Sequence, residues 1–238
     1  MIRRKQNHKG SDKTGNSNTD SNTDSNTDCE HKTTKKVKKT TKHTTTKNII
    51  RDKDGKIVFD DYPDFKPNLT PKEVLQLGSF GGTYFRPIES SITNKSYRDV
   101  WKEFPSDWFE GLNITKEVTS LTYYNDVNKY KVKCGGSLQM WEESGWIKKE
   151  DPYGWFQWYC RFYLGRRCKD DTRQIERWMK CAGPKGRWKN NLINKCYKSE
   201  KNFDDFSVSP VIRQVLQHWA YVLTENDYKK YLESNNKL

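Results

Sequence analysis

Apolar positions follow a helical period most clearly in the second half of the chain. Trp155, Trp158, Tyr159, Phe162 and Tyr163 stand at i, i+3, i+4, i+7 and i+8, which predicts a helix with one aromatic face. Asp151-Pro152 supplies an N-cap and a proline at N1, and Gly165 supplies a stop. Asp170-Asp171 then opens a second helix, because carboxylates favour the positive end of the helix dipole. Its apolar stripe is Ile175, Trp178, Met179 and Ala182, while Arg173, Arg177 and Lys180 recur at i, i+4 and i+7 on another face. Gly183-Pro184-Lys185-Gly186 makes a turn. A third helix from about Arg187 to Lys198 turns Trp188, Leu192, Ile193 and Cys196 inward, with Lys185, Arg187, Lys189 and Lys195 near or on its outer side. A last helix starts at Ser209-Pro210 and carries Ile212, Val215, Leu216, Trp219 and Val222 as its core stripe.

Before residue 151 the periodicity is broken into short pieces. Thr70-Pro71-Lys72-Glu73 has an N-cap, a proline at N1 and a carboxylate at N3, which predicts a short helix through Val74, Leu75 and Leu77 ending at Gly78. In GSFGGTYFRP (78–87) the helix precedes the glycines and Pro87 follows, the reverse of a phosphate-binding strand–loop–helix, so a tight turn with packed aromatics is expected. The 96–112 stretch predicts two short helices, capped at Ser96 and Ser106. Residues 118–134 predict a hairpin around Asn125-Asp126, and 137–146 a helix stopped by Gly145. Asp52–Gly55 reads as a turn before a short strand at 56–59. The fold class is mainly α: a single helical domain with at most a short β-hairpin.

Composition divides the chain once. Residues 1–50 contain no Phe, Tyr or Trp, and they hold the repeat SNTD at 17–20, 21–24 and 25–28 before a Thr/Lys-rich run at 32–47. Such a segment cannot bury a core. The expected organisation is a disordered low-complexity basic arm at 1–48 and one predominantly helical domain at 49–238. No stretch approaches the roughly 18 apolar residues of a membrane span, and no apolar segment follows the N-terminal basic residues. The expected setting is therefore intracellular, neither secreted nor membrane-bound.

Charge is as unevenly placed as hydrophobicity. The formal net charge is +13; residues 1–50 hold 12 Lys/Arg against 5 Asp/Glu, and residues 151–201 hold 13 against 5. Clustered cations gain free energy by displacing counterions from phosphates. Arg166, Arg167, Arg173, Arg177, Lys185, Arg187 and Lys189 are accordingly the candidate nucleic-acid-binding residues, with DNA or RNA as partner and the GPKG turn lending backbone N–H groups. The helix–GxxG–helix arrangement resembles the backbone-clamping loop of KH domains, although Pro184 removes a donor inside it. A competing reading makes the arginines internal partners of Asp170, Asp171 and Glu176.

Catalysis and metal binding have fewer handles. The six cysteines at 29, 134, 160, 168, 181 and 196 form no CxxC pair, and His218 is the only histidine after residue 50, so no metal or cofactor is expected. His218 is the first candidate for a general base, with Arg213 and Gln214 one turn before it. A small enzyme with a His218/Arg site is thus the alternative function, and a structural or virion scaffold a third. Oligomeric state is left open.

DPYGWFQWYCRFYLGRRCKDDTRQIERW, with GPKGRW after it and SPVIRQVLQHWAY at 209–221, resembles an uncharacterised protein family of large DNA viruses and fungi. The resemblance spans about 65–235 and brings no activity with it. It implies a viral setting, in the virion or in the host cytoplasm or nucleus.

Overall fold

The computed structural model describes residues 50–237. The arm expected at 1–48 lies outside the described residues. Those described belong to one unit, Thr46–Leu238, with seven α-helices among them: α1 (Pro71–Gln76), α2 (Leu138–Glu143), α3 (Trp155–Tyr163), α4 (Asp171–Ala182), α5 (Arg187–Lys198), α6 (Pro210–His218) and α7 (Glu225–Ser234). The sheet is one antiparallel pair, β1 (Ile88–Ser90) and β2 (Lys95–Tyr97), with Glu89 opposite Ser96. The mainly α reading with a short hairpin holds.

The core forms around α3, whose aromatic content lets it pack on several elements at once. Phe65, fully buried, meets Trp158, Tyr159, Phe162 and Trp178 at centroid distances of 5.2–5.9 Å, three of the four edge-on. Such pairs contribute about 0.5–1.5 kcal/mol each beyond their area. The polar ends of these side chains are satisfied: Tyr159 donates to the Leu69 carbonyl (2.7 Å), Trp158 Nε1 to Asp171 (2.8 Å) and Trp178 Nε1 to the Trp219 carbonyl (2.8 Å). The leading segment is tied to the far end of the chain by Asn68, whose amide exchanges two 2.8 Å bonds with the Val222 backbone. α4 packs on α5, and α5 on α6 and α7.

Several local expectations change. The hairpin lies at 88–97. Residues 118–134 instead form turns around a one-turn 3₁₀ helix at Asn125–Val127. The β-branched and aromatic residues there find partners one by one: Asn128 Nδ2 donates to Tyr123 Oη (2.7 Å) and to the Val132 carbonyl. Ser96 belongs to β2 and caps nothing. The two short helices of 96–112 are single 3₁₀ turns, Val100–Glu103 and Ser106–Phe109. Asp151 is not the N-cap of α3. Gly154 is, because Asp151 is engaged as an ion-pair acceptor. α7 has no counterpart in the sequence reading. Ala220 adopts a left-handed conformation (φ 54°) that stops the chain from continuing α6, and Thr224 then caps a new helix by accepting from Asp227 N (3.2 Å). By contrast α1 forms as expected, with the reciprocal Thr70–Glu73 capping box in place.

Candidate anion site at the α4–α5 turn

The seven basic residues singled out by sequence fall into two groups. Arg166 forks both oxygens of Asp151 (2.8 and 2.7 Å), and Arg161 joins the same carboxylate at 2.9 Å while also clasping Glu103. Asp151 is 1% exposed. Burial pushes its carboxyl up, against the pull of Arg166 and Arg161. Arg167 pairs with Asp61 and lies 3.8 Å from the Phe162 ring centroid. Arg173 forks Asp170 (2.5 and 2.7 Å). Arg177 sits near the Trp146 and Trp219 rings, donates to Gln174 Oε1 (2.8 Å), and is pushed by burial down to about 10. Arg166, Arg167, Arg173 and Arg177 are thus each engaged by groups of the chain itself, Arg167 and Asp61 as an exposed pair.

Lys185, Arg187 and Lys189 form the second group, together with Lys180. Lys180, Lys185 and Arg187 are exposed and make no ion pair among the described residues. The turn that carries them is set by two close approaches. A Cβ at Gly183 would lie 2.7 Å from the Met179 carbonyl oxygen, and one at Gly186 2.6 Å from that of Cys181. The glycines of GPKG therefore let the turn fold back onto the end of α4. No side chain caps α5, and the N–H groups of Arg187, Trp188 and Lys189 take no partner among the described residues. They present the positive end of a twelve-residue helix.

Lys189 departs from its expected outward placement. It is 8% exposed, because it stands at i of the stripe Lys189, Leu192, Ile193, Cys196 rather than on the opposite face. Its ammonium makes no hydrogen bond or ion pair among the described residues, and it lies 5.8 Å from the Tyr221 ring centroid. Burial lowers its pKa. It faces a cavity of about 570 Å³ enclosed by the turn, the leading segment, Tyr221 and α7. Five lysines line this cleft (56, 66, 185, 189 and 230) against Asp64 and Asp227. Asp227 is already held by Lys56 Nζ and Tyr221 Oη, both at 2.7 Å, which keep it below the usual carboxylate range although burial opposes them. Lys230 pairs with Asp54 (2.9 Å) and Lys66 with Asp52 (3.4 Å). Neither Lys185 nor Lys189 makes an ion pair among the described residues, although Asp227 acts on Lys189 from beyond contact distance.

Sequence reasoning missed Lys56, Lys66 and Lys230, which reach the cleft from opposite ends of the domain and share no local pattern. Lys189 did leave a trace: a charged residue in register with an apolar stripe.

His218 sits elsewhere and is fully employed. Its Nε2 accepts from Phe80 N (2.8 Å) and has Gln214 Nε2 at 3.1 Å, so the ring proton is assigned to Nδ1, which faces Cys134 Sγ at 3.4 Å. The ring stacks on Phe80 at 4.0 Å. Burial lowers its pKa to about 3 and pushes the Cys134 thiol up to about 12. The pair is a neutral imidazole beside a neutral thiol, with the only lone pair of the ring already used. Neighbouring Arg213 donates to the Val208 and Phe203 carbonyls, and Gln214 Oε1 accepts from Tyr130 N. Three N–H groups at the centre of the glycine loop are likewise taken: Phe80 N goes to His218, Gly81 N to Asn128 and Gly82 N to Ser79. Among the described residues no group of three His, Cys, Asp or Glu could hold a metal ion, and no helix is long and apolar enough to cross a membrane.

Compared with family models, curated proteins and solved structures, the chain matches none of them.

Proposed function

We propose that the protein binds nucleic acid through its phosphate backbone, using the α4–α5 turn as the contact. The observation that supports this reading is that Lys180, Lys185 and Arg187 are exposed and make no ion pair among the described residues, whereas Arg166, Arg167 and Arg173 are paired. Free surface cations give affinity through counterion release and carry little sequence information. Changing Lys180, Lys185 and Arg187 to Gln in the full chain should flatten the dependence of log affinity on log salt by up to about 2.7 on duplex B-DNA, near 0.9 per contact. Binding should weaken by a similar factor across sequences. An unchanged slope would sink the reading and leave residues 1–50, with their excess of Lys and Arg, as the source of any polyanion affinity.

A further inference from the structure

A buried ammonium without a partner is a costly arrangement, because desolvation is repaid only by a counter-charge or several hydrogen bonds. Lys189 comes close to this: the residue is 8% exposed, and its unpaired ammonium opens only onto a cavity of about 570 Å³. Of the two carboxylates that line the cavity, Asp227 is held by Lys56 and Tyr221, and the exposed Asp64 makes no ion pair with Lys189. Arg187 and Trp188 at the start of α5 do not line the cavity, whereas Lys185 adds to its wall a second cation with no ion pair among the described residues. These donors call for an anion, and the number of positive charges favours a dianion over a monoanion.

We propose that the cleft between the α4–α5 turn and α7 binds a phosphomonoester, with Lys189 and Lys185 on the phosphate. A cavity of this size accepts a sugar phosphate or one nucleotide. The phosphate could come from a free small molecule or from the end of a nucleic-acid strand, and both present the same group. The site does not depend on backbone binding by the exposed cations, since Lys180 and Arg187 do not line it.

Titration of the full chain with ribose 5-phosphate, followed by calorimetry and by the shift in melting temperature, tests the assignment. The expected result is saturable binding that ribose alone does not reproduce. Lys189→Met keeps the length and apolar stem of the side chain while removing its charge, and should weaken binding about 10- to 100-fold, the effect of losing a charged hydrogen bond. Lys180→Gln with Arg187→Gln should leave ribose 5-phosphate binding within about twofold while reducing the salt slope for duplex DNA. That split separates failure of this site from failure of the backbone contact. Competition by a short 5′-phosphorylated oligonucleotide, but not by its 5′-hydroxyl counterpart, would assign the phosphate to strand ends. Competition by neither would assign it to a free small molecule. Absence of saturable ribose 5-phosphate binding to the unmodified chain at low salt overturns the proposal whether or not the variant folds, and so does equal affinity in Lys189→Met.

Discussion

The arginines of α3–α4 and the cations of the α4–α5 turn come from one basic stretch and do opposite things. Arg161, Arg166, Arg167 and Arg173 each fork a carboxylate, and those carboxylates arrive from as far away as Asp61 and Glu103. A planar guanidinium suits such bidentate partners and can stack on rings as Arg167 and Arg177 do. At the turn, Lys180, Lys185, Arg187 and Lys189 make no ion pair among the described residues. Net charge therefore measures how many cations a segment has, and the tertiary path of the acidic residues decides how many are free to meet a partner.

The comparison breaks most visibly at Asp151, which holds two arginines at 1% exposure. Asp151→Asn should leave Arg166 without a carboxylate and Arg161 with Glu103 alone, and lower stability by about 3 kcal/mol. Urea unfolding followed by tryptophan fluorescence measures this. A loss below about 1 kcal/mol would mean the arginine framework is not what holds α3 and the Arg166–Arg167 segment together.

A buried group that avoids charge gives the next largest effect. His218 is neutral when folded, with a pKa near 3 against 6.5 unfolded. Between those values the unfolded chain binds a proton that the native state does not, so stability falls as pH drops below about 6.5. The loss is about 1.4 kcal/mol per unit, or about 2 kcal/mol at pH 5. No charged group contacts the ring to offset it, only Phe80, Gln214 and Cys134. Stability curves from pH 7 to 5 should be steeper for the native chain than for His218→Gln. Parallel curves would place the histidine in a wetter site. Lys189 should behave differently, because it keeps its charge against an open cleft. Lys189→Met removes an unpaired buried ammonium and should raise stability by about 1 kcal/mol in the absence of ligand.

How much of this was legible follows from which signals are local. The bounds of α5 and the cap of α1 could be read because Gly, Pro, Thr and Glu act within a few residues of themselves. The hairpin was misplaced because the Thr and Tyr residues of 118–134 satisfy strand propensity while tertiary contacts hold them in turns; the pairing segments at 88–97 are only three residues long. The candidate phosphate surface was half legible. Its cations were visible, but Asp61, Glu103 and Asp151 reach the arginines by a route that no periodicity encodes, and the lysine cleft draws on residues 56, 66, 189 and 230 at once.

The smallest expected effect is the sharpest test of the contrast. Lys180, Lys185 and Arg187 are exposed and unpaired, so changing all three to Gln removes no hydrogen bond within the described residues and keeps good helix formers in α4 and α5. Stability should move by less than about 0.5 kcal/mol, as for surface substitutions generally. Arg173→Gln, one residue rather than three, breaks the fork to Asp170, whose carboxyl burial would raise but Arg173 holds below its ordinary value. That single change should cost about 1–2 kcal/mol, since it leaves a mostly buried carboxylate with only Gln174 as partner. Denaturant midpoints of the two variants, taken in the same buffer, decide the matter. A triple variant that loses as much as Arg173→Gln would show that the turn cations are structural after all, and the distinction between engaged arginines and free turn cations would have to be withdrawn.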